Sequence, residues 1–71
     1  MLTTLRYKRL AKGLKINEMA QAVGIHETLL SKIELRQSYC PPKWREKLAN
    51  FLEVTTDEIF DEHGMATLMP K

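Results

Sequence analysis

An all-α fold, a compact bundle of five short helices, is predicted by three observations. Between Asn17 and Glu34 two apolar patterns of helical period meet at one glycine: Met19, Ala20 and Val23 precede Gly24, and Ile25, Leu29 or Leu30, and Ile33 follow it. Further on, Pro42 stands where a first helical turn accepts it, and Trp44, Leu48, Ala49, Phe51 and Leu52 supply one apolar face behind it. Then Thr55 and Glu58 stand at the spacing of a capping box, ahead of Ile59 and Phe60. A chain of 71 residues makes one domain, and at this length only about 60% of the unfolded chain's surface is buried on folding.

Taken in order, the first helix is expected to start at a Thr3 or Thr4 cap and run to Lys12, where Gly13 ends it. Leu2, Leu5 and Leu10 are its expected inward side chains. The second helix starts near Ile16 or Asn17, with Asn17 able to act as a late cap. The third follows Gly24, a residue that takes positive φ at no steric cost, and Ala20 is small where these two helices must cross closely. Its cap is His26, and its outer face is polar: Glu27, Thr28, Ser31 and Lys32. Pro41 and Pro42 block helix continuation and leave a long loop from Leu35. The fourth helix begins at Pro42, with Trp44 as a core or interface anchor, and the fifth spans Thr56 to about Asp61. The tail from His63 to Lys71 has no helical period and is expected to be flexible.

With these elements placed, a resemblance becomes specific. The positions of Ala20, Gly24, Ile25, Ile33 and Glu34 are those of an Ala, a turn Gly, an Ile or Val, and an Ile-Glu pair in the helix-turn-helix of the phage repressor and Cro family, also called the Xre-like family. The likeness extends to Arg9, Gly13-Leu14, Pro42 and the Leu48-Ala49-x-x-Leu52-x-Val54-x-x-Asp57-x-Ile59-Phe60 ending, roughly residues 2 to 62. The chain resembles that family. The resemblance implies a lambda-repressor-like DNA-binding domain over residues 1–62, followed by the tail, 63–71. It also implies a partly buried ion pair between Arg9 and Glu34 with an architectural role.

The same resemblance assigns the third helix to base reading, through Glu27, Thr28, Leu29, Ser31 and Lys32. Threonine offers a hydroxyl or a methyl to a base edge, lysine reaches a guanine or a phosphate, and a glutamate reads only by accepting from cytosine N4. Candidate phosphate contacts are Lys15, Asn17 and His26 around the motif, and Arg36, Gln37, Ser38, Tyr39 and Lys43 in and after the long loop. Five positions depart from the family pattern, with Lys15 and His26 standing where Thr or Ser caps are usual. Ile16 stands where a phosphate-holding Gln is usual, Glu27 puts a negative charge at the head of the reading helix, and Arg36 replaces a glycine after Glu34.

Charge supports a polyanionic partner at one end of the chain. Residues 1–15 carry five cations and no acid, whereas residues 16–36 sum to −1 and residues 37–71 to −2. Enzyme chemistry is not expected: there is no nucleophile with a nearby base and no glycine-rich phosphate loop, and Asp57, Glu58, Asp61 and Glu62 read as a solvated face. One cysteine, Cys40, and two distant histidines, His26 and His63, give no metal set, and no cofactor or small-molecule substrate is implied. No apolar run approaches the roughly 20 residues that span a bilayer, so a cytoplasmic protein without a membrane partner is expected.

The expected function is sequence-specific transcriptional regulation of the repressor or Cro type, tied to a phage or mobile element. The third helix would enter the major groove of duplex operator DNA, with half-sites about 34 Å apart if a weak homodimer binds. The alternative is a small antirepressor or modulator of the same fold that binds a repressor protein, with an exposed Leu29 beside Glu27 and Lys32.

Overall fold

In a computed structural model that describes residues 2–69, five helices follow one another: α1 (Thr4–Ala11), α2 (Ile16–Val23), α3 (Glu27–Glu34), α4 (Pro42–Leu52) and α5 (Thr56–Ile59). Met1, Pro70 and Lys71 lie outside the described residues, so the expectation of a flexible tail is met with structure only as far as Met69. Thr3 caps α1, its hydroxyl accepting from the Arg6 N–H at 3.3 Å while donating to the Glu34 carbonyl at 2.8 Å. At α2 the N-cap residue is Lys15, not Asn17. Lysine has no acceptor to offer, and the cap is half made by the Glu18 carboxylate, which takes the Lys15 N–H at 2.8 Å.

The turn between α2 and α3 is closed by Gly24 at φ +87°, with the N–H groups of Gly24 and Ile25 both donating to the Ala20 carbonyl at 2.8 and 3.0 Å. A β-carbon there would be forced into the left-handed region. Ala20 and Ile25 are buried in the corner this turn creates. Leu5, Met19, Leu30, Ile33, Leu48 and Ile59 are fully buried and bring all five helices to one core, each contributing roughly 1.5–3 kcal/mol of apolar burial. Leu2 and Leu10, expected to face inward, are exposed. The inward face of α1 is instead held by Leu5 and Arg9, one helical turn apart, and Leu10 falls outside that arc.

Arg9 is a charged residue in the core layer. Its guanidinium meets the Glu34 carboxylate through two bonds, Nε to Oε2 at 2.8 Å and Nη2 to Oε1 at 3.1 Å, and its Nη1 donates to the Leu14 carbonyl at 2.7 Å. Both side chains are under one-tenth exposed. Cys40 is also fully buried, and burial pushes its thiol up to about 11, partly opposed by Arg45. It is protonated and inert at neutral pH.

The segment after α5 differs most from expectation. The helix stops at Ile59, and Asp61 folds the chain back: its Oδ1 accepts from the N–H groups of His63 at 2.8 Å and Met65 at 3.0 Å. Residues 65–69 then run between two partners. Bridges form from Phe60 to Ala66 and from Thr3 to Leu68, and Ala66 is fully buried. The tail is therefore a packed strap, and Asp61, read from sequence as a solvated acid, builds its turn.

Replacing Arg9 with Met, or Glu34 with Gln, is expected to destabilise the domain by about 3–5 kcal/mol, because each leaves a buried charge without its partner. The double variant Arg9→Met, Glu34→Leu should recover much of the loss in chemical denaturation. The Asp61 carboxyl is held below the ordinary carboxylate value, chiefly by the Met65 N–H, with burial opposing and His63 and Arg36 assisting. A depressed carboxyl stabilises the fold above its unfolded pKa of about 4 and loses that contribution as pH falls through the lower folded value. Acidification should thus release the Met65 amide to exchange before the core amides.

Candidate nucleic-acid interface

Helix α3 is buried through Leu30, Ile33 and Glu34, which leaves Glu27, Thr28 and Lys32 exposed and Ser31 partly exposed. The N-terminus of α3 is finished by His26, whose Nδ1 accepts the Thr28 N–H at 3.3 Å. With Nδ1 used as an acceptor, the neutral ring carries its hydrogen on Nε2, a donor available to an anion. Glu27, in the first turn, lies at the positive end of the helix dipole, which stabilises its charge. Leu29 does not stand free. It is half-buried against the core, which the spacing of Leu29 and Leu30 left open.

Four of the five expected base readers come together with two flanking residues. Glu27, Thr28, Ser31 and Lys32 line one shallow hollow with Ile16 of α2 and Gln37 of the following loop. Ile16 forms its apolar wall, so the residue that displaces the usual phosphate-holding Gln turns the α2 side of the surface from polar to apolar. Gln37 is drawn to this surface by the end of α3, where its N–H donates to the Lys32 carbonyl at 2.8 Å. A second hollow adjoins the first through Ile16 and Ser31 and includes Arg6, Arg9, Glu34 and Leu35. Arg6 was not among the expected contacts. The signal that could have marked it is its place one turn before Arg9 on the same basic helix.

The remaining candidates divide. Lys15 and Asn17 are exposed at the start of α2. Tyr39 is exposed, and Ser38 is half-buried with its hydroxyl donating to the Tyr39 carbonyl at 3.2 Å. Lys43 sits with its ammonium 5.0 Å from the centre of the Trp44 ring, matched by Lys47 at 4.9 Å on the same ring. It lines a different hollow, with Pro42, Arg45, Glu46 and Thr56, that holds none of the base readers. Arg36 adopts φ +59°, the conformation for which glycine is the usual choice after such a helix. Its Nη2 lies 3.8 Å from Asp61 Oδ2 and its buried Nε has no partner among the described residues.

The outer face of α3, its capped N-terminus and the Gly24 corner together form a surface that exposes one short polar helix. The helix-turn-helix family is matched over residues 5–42, a little more than half of the chain. The chain belongs to the Cro/C1-type, Xre-like helix-turn-helix family. No curated protein and no solved structure matches it. Membership makes it a DNA-binding regulator of the Cro/C1 type, and α3 is the second helix of that motif. Among the described residues no three His, Cys, Asp or Glu side chains form a metal-binding group. No helix of these residues is long and apolar enough to cross a membrane.

Because Arg36 bears a β-carbon at positive φ, Arg36→Gly should raise stability by about 1 kcal/mol. The pair it gives up with Asp61 is long and one-third exposed on each side, and such pairs contribute little. Urea denaturation of the two proteins side by side measures the difference.

Proposed function

We propose that the protein is a sequence-specific transcriptional regulator of the repressor or Cro type, related to a phage or mobile element, that places α3 in the major groove of operator DNA. The observation that carries this reading is the hollow itself. Thr28, Ser31, Lys32 and Gln37 converge there beside Glu27, so donors and acceptors of several kinds face one way from one helix and its exit turn. Base reading is the task of Glu27, Thr28, Ser31 and Lys32, with Glu27 selecting a cytosine amino group. Phosphate contact falls to Lys15, Asn17 and His26 on one side, and to Gln37, Ser38 and Tyr39 on the other. A weak dimer on a pseudo-palindromic site fits a chain this small, with contacts from α4, α5 and the strap.

The alternative, a modulator that binds a repressor protein through the same face, is favoured by Ile16 and Glu27. It called for an exposed Leu29, and the partial burial of Leu29 against the core removes that one support.

Selection from random duplexes at about 50 and about 200 mM salt tests the two. For a DNA regulator, a two-fold symmetric site is enriched, with affinity falling tenfold or more over that range. Thr28→Ala should then cost about 1–3 kcal/mol at one base pair and relax preference there, whereas Lys15→Ala should weaken binding to all sequences and lower the salt slope by about 1. Absence of any duplex binding at low salt would sink the reading and leave the protein-binding alternative.

A further inference from the structure

We propose that the strap from Asp61 to Met69 positions the loop between α3 and α4 for contact with the DNA backbone, with Asp61 and Gly64 as its positioning residues. The inference rests on the DNA-binding reading above. The loop runs from Leu35 to Pro41, carries exposed Gln37 and Tyr39, and belongs to no helix. A loop without its own ladder of hydrogen bonds keeps one shape only if something outside it supplies the constraints.

The far end of the loop is fastened to the strap's short turn. There the Cys40 N–H donates to the Gly64 carbonyl at 2.7 Å. The Cys40 carbonyl accepts from Arg45 Nε, and the Arg45 guanidinium occupies the space a β-carbon on Gly64 would need. Near the start of the loop the Arg36 guanidinium lies 3.8 Å from Asp61, a long, part-exposed contact that adds little to this constraint. Gly64 is buried at φ +79°, and any β-carbon there would collide with the guanidinium and displace it from the Cys40 carbonyl. Asp61 makes the turn through four bonds: its side chain accepts from His63 and Met65, its N–H donates to the Met65 carbonyl at 2.9 Å, and its carbonyl accepts from Gly64 at 3.0 Å.

The strap is itself anchored away from the loop. The Thr67 N–H donates to the Ile59 carbonyl at 3.1 Å, the Thr4 N–H to the Thr67 carbonyl at 2.8 Å, and the Met69 N–H to the Leu2 carbonyl at 3.0 Å. Helix α3 is held separately by the Arg9 to Glu34 pair and by Leu30 and Ile33 in the core. Loosening the turn therefore frees the backbone-facing loop and leaves the base-reading helix where it is. Phosphate affinity and base discrimination become separable.

The test uses the full chain with Gly64→Ala, Asp61→Ala and Asp61→Asn. Three readouts are taken: exchange of the Cys40 amide, the salt slope of duplex binding, and the affinity ratio between the selected operator and a single-base variant. Both alanine variants should speed Cys40 exchange at least tenfold, weaken operator and non-operator duplexes alike by about tenfold, and lower the salt slope by about 1 to 2. The operator-to-variant ratio should stay as in the wild type. Asp61→Asn keeps an oxygen acceptor for the His63 and Met65 amides and should remain within about twofold of wild type. Unchanged salt slope and affinity despite faster exchange would overturn the proposal, as would a ratio that collapses with affinity or outright unfolding of both alanine variants. A wild-type protein that binds no duplex would overturn the DNA reading itself, a different result.

Discussion

The direction in which α3 presents its outer face depends on Glu34. Its carboxylate holds Arg9 by two bonds and its carbonyl takes the Thr3 hydroxyl, so the last residue of α3 is tied to both ends of the first helix. Arg9 passes the constraint on to the Leu14 carbonyl, just before α2 begins. One buried cluster thus fixes α1, the α2 entrance and the α3 exit relative to each other. Such a cluster contributes less to stability than its geometry suggests, since both ions are desolvated. What it provides is orientation: an apolar contact at this place would tolerate sliding of α3 along α1, and paired forks do not.

The motif was readable because its determinants are local and each has one physical meaning. Gly24 is needed at positive φ, Ala20 must be small under the crossing, and Ile25 and Ile33 follow the turn at helical spacing. Arg9 and Glu34 came only with the family likeness, because their separation of 25 residues leaves no local trace. Leu2 and Leu10 misled because hydrophobicity marks what can be buried, whereas the arc of α1 that meets the core is set by where Arg9 must point. The strap was illegible for a related reason. Its order comes from backbone bonds to residues 2–4 and 59–61, from a glycine chosen to fit beneath an arginine, and from Ala66, too small to produce a pattern.

Within the candidate interface, the capping role of His26 was legible from its position, and the convergence of Gln37 with the α3 face was not. That convergence follows from Arg36, which turns the chain through the left-handed region directly after the helix and sends the next side chain back toward Lys32. A non-glycine residue there costs conformational energy, and its neighbours limit the damage by holding the loop's far end and offering Asp61 to the guanidinium. The substitution changes more than strain. It replaces a neutral turn with a cation whose charge is directed at the strap.

The electrostatics of the surface then assign different work to its parts. Along α3 the charge of Glu34 is cancelled by Arg9, and Glu27 stands against Lys32, so the reading face carries little net charge. In the proposed DNA reading, such a helix attracts a polyanion weakly and would discriminate between base edges by hydrogen bonds. On that reading, affinity would be drawn from residues outside it: the cations before α2, the His26 donor, and the loop that the strap is proposed to hold. Salt acts on those contacts and hardly on hydrogen bonds to bases. The salt dependence of binding therefore reports on the flanks and the base preferences report on α3, and in this small domain the two are built from different segments of the chain.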